Sequence, residues 1–247
     1  MSEAVISENA TKTIQTLCES ITQAIENLSP DREFITIGLS GGSLIKQLSS
    51  EIPNYKSRLE KYIPKLRFIF CDERYVPLDH EDSTYFGFLS NQFFSILNVP
   101  LENVYHIKAD APTVDECARD YETRMKSLLN KNGGFDILLL GIGPDGHTCS
   151  LFPEHKSFTE GLNSTNIVIA VHDSPKPPPQ RVTLTFSYIN NSNYLFFCAV
   201  GDGKADMIKR ILIDRDLSIP SANVRPKFVN GVLKWFIDQP AAKALSS

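Results

Sequence analysis

Apolar residues recur along the chain with two spacings, and the alternation between them predicts the architecture. From about Ser7 to Leu28, residues Ala10, Ile14, Leu17, Ile21, Ala24 and Leu28 fall at steps of three and four, the mark of an amphipathic helix, and Pro30 closes it. Phe34–Leu39 follows as a short apolar run and breaks into Ser40–Gly41–Gly42–Ser43. Leu44, Ile45 and Leu48 then open a second helix that stops before Pro53. Leu66–Cys71 reads as the next strand, with Asp72, Glu73 and Arg74 at its carboxyl end. Helices are expected over Asp82–Leu97 and Val114–Asn130, the latter stopped by Gly133–Gly134. Ile137–Leu140 is apolar throughout, as in a strand buried on both faces of a parallel sheet. Further strands are expected at Ile167–Val171, Arg181–Phe186, Tyr194–Val200 and Leu233–Ile237, with a helix over Ala205–Ile213. Strands alternating with helices of this length predict an α/β fold, a Rossmann-like and mostly parallel sheet flanked by helices. The Pro-rich run Pro175–Pro179 is the one candidate boundary; it is short and lies between strands, so a single domain over residues 1–247 is expected.

The strand at Ile137–Leu140 runs into Gly141–Ile142–Gly143–Pro144–Asp145–Gly146–His147, three glycines around one carboxylate and one imidazole. A buried strand that delivers such a turn is where α/β proteins place their chemistry. Three short motifs match here without their context. Gly141-x-Gly143-x-x-Gly146 has the dinucleotide spacing, but Pro153 arrives too soon for a helix to open at the third glycine. Gly38-x-Ser40-x-Gly42 has the spacing of a nucleophile elbow, with Asp145 and His147 downstream. An acid and a base two residues apart hardly serve as separate arms of a triad, and no oxyanion loop of the HGGG type precedes Ser40. The same turn lacks the Gly-Lys-Ser/Thr ending of a P-loop. Its generic chemistry remains: the N–H groups of Gly41, Gly42 and Ser43 at a helix N-terminus form an anion cradle, or else the glycines only turn the chain and Ser43 only caps it.

Composition narrows the partners. The net charge of −4 supplies no field to attract nucleic acid or an anionic membrane, so an anionic ligand needs local cations. No apolar run approaches the length that spans a bilayer, and no secretory signal stands at Met1–Ala4. Five cysteines, odd in number and irregular in spacing, fit reduced thiols in a cytoplasmic protein, with the nucleus as a further location, better than a disulfide framework. His147, Cys149 and His155 match no usual zinc spacing.

Several blocks together resemble one family, the 6-phosphogluconolactonases. They are Ser40–Ser43, Cys71–Arg74 with Val76–Pro77 and Asp82–Tyr85, Gly141–Pro153, Asp173–Thr185 and Gly201–Lys204, in order over most of the chain. The resemblance implies a fold shared with glucosamine-6-phosphate deaminase and ribose-5-phosphate isomerase relatives. It also implies hydrolysis of 6-phospho-D-glucono-1,5-lactone to 6-phosphogluconate in the pentose phosphate pathway, a step that sustains NADPH supply and calls for no cofactor or metal. By the same resemblance His147 is the base that activates water, and Asp145 orients or polarises its ring. Arg74 and glycine-turn amides are candidates for the oxyanion; phosphate binding, or an ion pair with Asp72 or Glu73, are the other readings of Arg74. Asp72 is expected at the sugar hydroxyls or in that ion pair. Phosphate is expected on Ser43, Arg181 and Lys204 with the Gly41 and Gly42 amides. The partner is then a small phosphorylated sugar lactone, with no nucleic acid and no membrane, on a monomer or weak dimer. Two alternatives remain: a non-catalytic relative with an RNA-handling or scaffold role, as in some fungal relatives, and a sugar-phosphate isomerase or deaminase. Retention of Arg74, His147, Arg181 and Lys204 argues against the first, and Thr148–Pro153 after the histidine against the second.

Overall fold

The computed structural model describes residues 2–245. Its ten strands are β1 (Ser2–Ser7), β2 (Ile35–Leu39), β3 (Leu66–Phe70), β4 (Asp72–Arg74), β5 (Val104–Tyr105), β6 (Ile137–Gly141), β7 (Val168–Val171), β8 (Arg181–Leu184), β9 (Tyr194–Ala199) and β10 (Val232–Asp238). Seven form one sheet in the order β1-β10-β9-β6-β2-β3-β5, parallel at every pairing. The remaining three form a small antiparallel sheet, β4-β8-β7.

Strand β6 shows why the sheet is covered on both sides. Ile137 and Leu139 face a core with the helices Ala10–Leu28 and Ser43–Glu51, whereas Leu138 and Leu140 face a second core with Val114–Met125 and Ala205–Leu212. Successive side chains of a strand point to opposite faces, so a strand between two helical layers must be apolar at every position. Each such Leu or Ile contributes about 1.5–3 kcal/mol by leaving water. Asp136, buried just before β6, accepts from the backbone N–H and hydroxyl of Thr36 and pairs with Arg32 at 3.2 Å, which fixes β6 beside β2.

The chain runs outward from β2 through β3 to β5 and then, beginning again at β6, outward the other way through β9 to β10. The order reverses between β2 and β6. At such a point the two connections leave the sheet in opposite directions and open a crevice above the carboxyl ends of the strands.

Several expected elements differ. The first helix begins at Ala10, where Asn9 caps it by accepting from the Lys12 N–H. The edge strand β1 was not foreseen. The expected helix Asp82–Leu97 is two, Thr84–Ser90 and Phe93–Ile96, broken by Gln92 in the left-handed region at φ 60°. The break re-phases the chain so that Phe93 and Phe94 both pack edge-on against Phe68. The helix from Val114 ends at Met125 and continues as a 3-10 turn, because the Asn130 side chain folds back onto Asn132, Gly134 and Phe135 instead of extending it. Asp72–Arg74, Ile167–Val171 and the Arg181 strand leave the parallel sheet for the small one. The helix Lys156–Asn163 was also missed.

Candidate active site

The crevice at the reversal holds a cavity of about 280 Å³. It is lined by the Ser40–Leu44 turn after β2, Asp72 and Arg74 of β4, and Gly141–Pro144, His147 and Cys149 after β6. Arg181 of β8 and Cys198–Val200 and Lys204 at and after the end of β9 complete it. All nine residues expected at the site fall here: eight line the cavity, and Asp145 stands behind His147.

The turn after β6 is shaped around one side chain. Gly143 N–H donates to the His147 carbonyl at 2.9 Å, and Gly146, at φ +81°, donates to the Gly143 carbonyl at 3.0 Å. A Cβ on Gly143 would stand 2.0 Å from the imidazole, so only glycine lets the ring lie there. Asp145 Oδ1 meets His147 Nδ1 at 2.5 Å. The ring packs against buried Phe152, with centroids 4.7 Å apart.

These contacts decide the state of the imidazole. Burial lowers the His147 pKa below its ordinary value, against the pull of Asp145, so the ring is neutral near pH 7. Burial alone would push the Asp145 carboxyl up, but His147 and then Lys176 outweigh it and hold the group at about 2. An ionised carboxylate at 2.5 Å stabilises the tautomer with the proton on Nδ1, in which the Nε2 lone pair is the basic site.

Lys176 is the functional residue that reading by motif overlooked. Its ammonium lies 3.1 Å from Asp145 Oδ1 and 3.1 Å from His147 Nδ1. The available signal was a lone cation inside the proline run of the Asp173–Thr185 block.

The Ser40–Leu44 turn lies at the other side of the crevice. Gly42, at φ +80°, caps the helix Ser43–Glu51, and a Cβ there would meet nothing within 4 Å, so the space over its backbone is open. Arg74 Nη2 lies 3.7 Å from where a Gly41 Cβ would be, and Nη1 donates to the Asp82 carbonyl at 2.5 Å. Arg74 thus makes no ion pair with Glu73. That carboxylate is buried and accepts from the backbone of Arg74, Thr84 and Tyr85, and burial raises its pKa. Asp72 accepts from the Ser150 hydroxyl at 2.7 Å and lies 4.0 Å from Arg181 Nη1. Lys204 donates to the Ile142 carbonyl at 2.8 Å, and burial lowers its pKa.

Other nucleophiles fall away on geometry. Ser40 is 4% exposed and its hydroxyl has no hydrogen-bond partner, so no base activates it. The Cys149 thiol is pushed up by its contact with Cys71 and by burial, and burial carries Cys198 to about 12; neither is a thiolate at neutral pH.

The His147–Asp145 pair and the Ser40–Leu44 turn thus meet at one crevice. The family model described as glucosamine-6-phosphate isomerases/6-phosphogluconolactonase matches residues 8–235. The chain belongs to this family. It is 41% identical over 227 residues to the rat protein named 6-phosphogluconolactonase, covering 91% of this chain and 86% of that one. It is 42% identical over 223 residues to the human protein of the same name, covering 89% and 84%. Among solved structures, 6-phosphogluconolactonase from Thermotoga maritima superposes with a TM-score of 0.81 at 28% identity, covering 97% of this chain and all of that one. That similarity over the full length fits the α/β sheet flanked by helices that the alternation of strands and helices predicts.

Proposed function

We propose that this chain hydrolyses 6-phospho-D-glucono-1,5-lactone to 6-phosphogluconate, the lactonase step of the oxidative pentose phosphate pathway, with His147 as the base. The rat and human relatives carry the name of this enzyme, and at this identity and coverage they support the same activity here. The observation that carries the residue assignment is the 2.5 Å contact of His147 Nδ1 with Asp145 beside the cavity that His147 lines, and burial favours the neutral ring.

His147 Nε2 takes a proton from water as its oxygen attacks the lactone carbonyl. Asp145 stabilises the imidazolium that forms and fixes the plane of the ring. The tetrahedral intermediate collapses by breaking the bond from carbonyl carbon to ring oxygen, and the imidazolium returns the proton to that oxygen. The 6-phosphate sits in the cradle of Gly41, Gly42 and Ser43, and Lys204 adds positive charge. Arg74, with Nη2 beside Gly41, belongs to the phosphate end, and the oxyanion falls to glycine-turn amides. Asp72, already fixed by Ser150, accepts from a sugar hydroxyl. Arg181 contributes through Nη1 alone, since its other contacts go to loop carbonyls.

Generating the lactone in situ and following its disappearance tests the assignment. Wild type is expected to exceed the spontaneous rate, and His147→Ala to lose about 10²–10⁴-fold in kcat/KM, the range of a positioned general base. Equal rates for the two proteins would remove His147 from that role.

A further inference from the structure

The Pro175–Pro179 loop lies outside both sheets, yet it delivers Lys176 to the back of the His147–Asp145 pair. Two residues hold it there. Arg181 is buried and turns its guanidinium into the loop: Nε donates to the Pro178 carbonyl at 3.0 Å, and Nη2 donates to the carbonyls of Lys176 at 3.0 Å and Pro177 at 2.8 Å. Ser174 closes the other side. Its hydroxyl donates to the Lys176 carbonyl and accepts from the Lys176 N–H, and its N–H donates to the Pro179 carbonyl. The Lys176 backbone is therefore pinned at both its polar groups although 36% of its side chain is exposed. Its ammonium also stands 6.0 Å from the centroid of Phe152, the ring that packs against His147.

We propose that Arg181 and Lys176 act together as positioning residues for the base. Arg181, inserted among three consecutive carbonyls, fixes the loop so that the Lys176 ammonium stands on the Nδ1 side of His147, anchors the Asp145 carboxylate and opposes protonation of the ring. The inference rests on the reading of His147 as the base. The charged groups that act on the ring are Asp145 from its own turn, Lys176 from the loop and Asp72 from β4. The two carboxylates favour an imidazolium, and Lys176 is the cation set against them. Lys204 and Arg181 line the same cavity. Without Lys176 burial alone would oppose the two carboxylates, and protonated His147 is useless as a base. Arg181 suits the anchoring task because its planar fork presents several donors in one fixed geometry, whereas an ammonium sits on a flexible stem.

The test is a substrate-free NMR titration of the His147 ring beside the pH profile of kcat/KM. Lys176→Met is expected to move the ring titration and the acid limb of the profile together to higher pH, by about one unit, a tenfold change in proton affinity. Lys176→Arg restores both towards wild type. Arg181→Lys, which keeps the charge and loses the fork, gives a smaller shift of the same sign and none in the Lys176→Met background. Ser174→Ala loosens the loop more gently and takes the place of Arg181→Lys if circular dichroism shows that variant unfolded. An unmoved titration in Lys176→Met, or an added shift from Arg181→Lys on top of it, overturns the proposal. The titration needs no turnover, so a wild type without lactonase activity would strike the functional reading while these shifts still decide this one.

Discussion

The turns after β2 and β6 stand side by side at the carboxyl edge of the sheet, both rich in glycine, and they use glycine in opposite ways. After β2 the chain needs Gly42 at φ +80°, but a Cβ there would touch nothing, and a helix begins at once. The backbone is left bare for a ligand. After β6 a Cβ on Gly143 would collide with the imidazole and one on Gly146 with Ile219 at 2.4 Å, and no helix opens until Lys156. There glycine makes room for the protein's own side chain. On the proposed function the first turn serves as a binding surface and the second as a clamp. In the second turn Gly143 and Gly146 are required by space, whereas a Cβ on Gly141 would meet nothing.

The comparison can be broken by filling each turn. Gly143→Ala should cost most: the ring must leave its place, and kcat/KM should fall at least about 10²-fold, the low end of what a positioned base supplies. A variant that keeps wild-type kinetics would show that the turn is no clamp. Asp145→Asn keeps the shape but offers no ionised acceptor to Nδ1–H, so kcat should fall about 10²-fold with KM little changed. An equal rise in KM would instead place Asp145 at the substrate.

At the proposed phosphate end of the cavity Lys204→Met should raise KM about tenfold while largely sparing kcat, as expected for a lost charge-assisted contact made in both ground and transition states. Arg74→Lys should show the same pattern; a fall in kcat alone would move Arg74 to the oxyanion. Smallest is Gly42→Ala, where a backbone at φ +80°, ψ −150° that favours glycine, with no clash, predicts a stability loss of about 1–3 kcal/mol by thermal unfolding. A loss several times larger would mean that the space over Gly42 is not open.

The pH dependence follows from the clamp. His147 is competent when unprotonated, so kcat/KM is full above its pKa and declines as pH falls through it. Because burial lowers that pKa, the decline should begin below the pH at which an exposed imidazole titrates. An acid limb above about 6.5 would contradict a buried, neutral ring.

Much of this was legible in the sequence. The uniformly apolar Ile137–Leu140 declared a strand between two layers, and the glycine blocks in register marked both turns. Contacts that long-range packing creates were not legible. β1 is an edge strand whose polar ends, Ser2 and Ser7, give no continuous apolar run, and it exists because β10 offers it a partner. Asp72–Arg74 reads as the end of β3, and only its pairing with β8 turns it into a separate strand. At the site, Asp145 and His147 could be seen as neighbours, but whether side chains two residues apart meet depends on backbone dihedrals that Gly143 and Gly146 permit. The family resemblance implies Arg181 as a phosphate ligand, whereas most of its guanidinium is committed to loop carbonyls. Lys176 was hidden because proline-rich loops carry no periodicity.

The most direct measurement of the central claim is the ¹⁵N spectrum of the His147 ring at neutral pH without substrate. The account predicts a neutral imidazole with its proton on Nδ1 and a bare Nε2. A ring protonated on Nε2, or on both nitrogens, could not take a proton from water in the cavity and would contradict it.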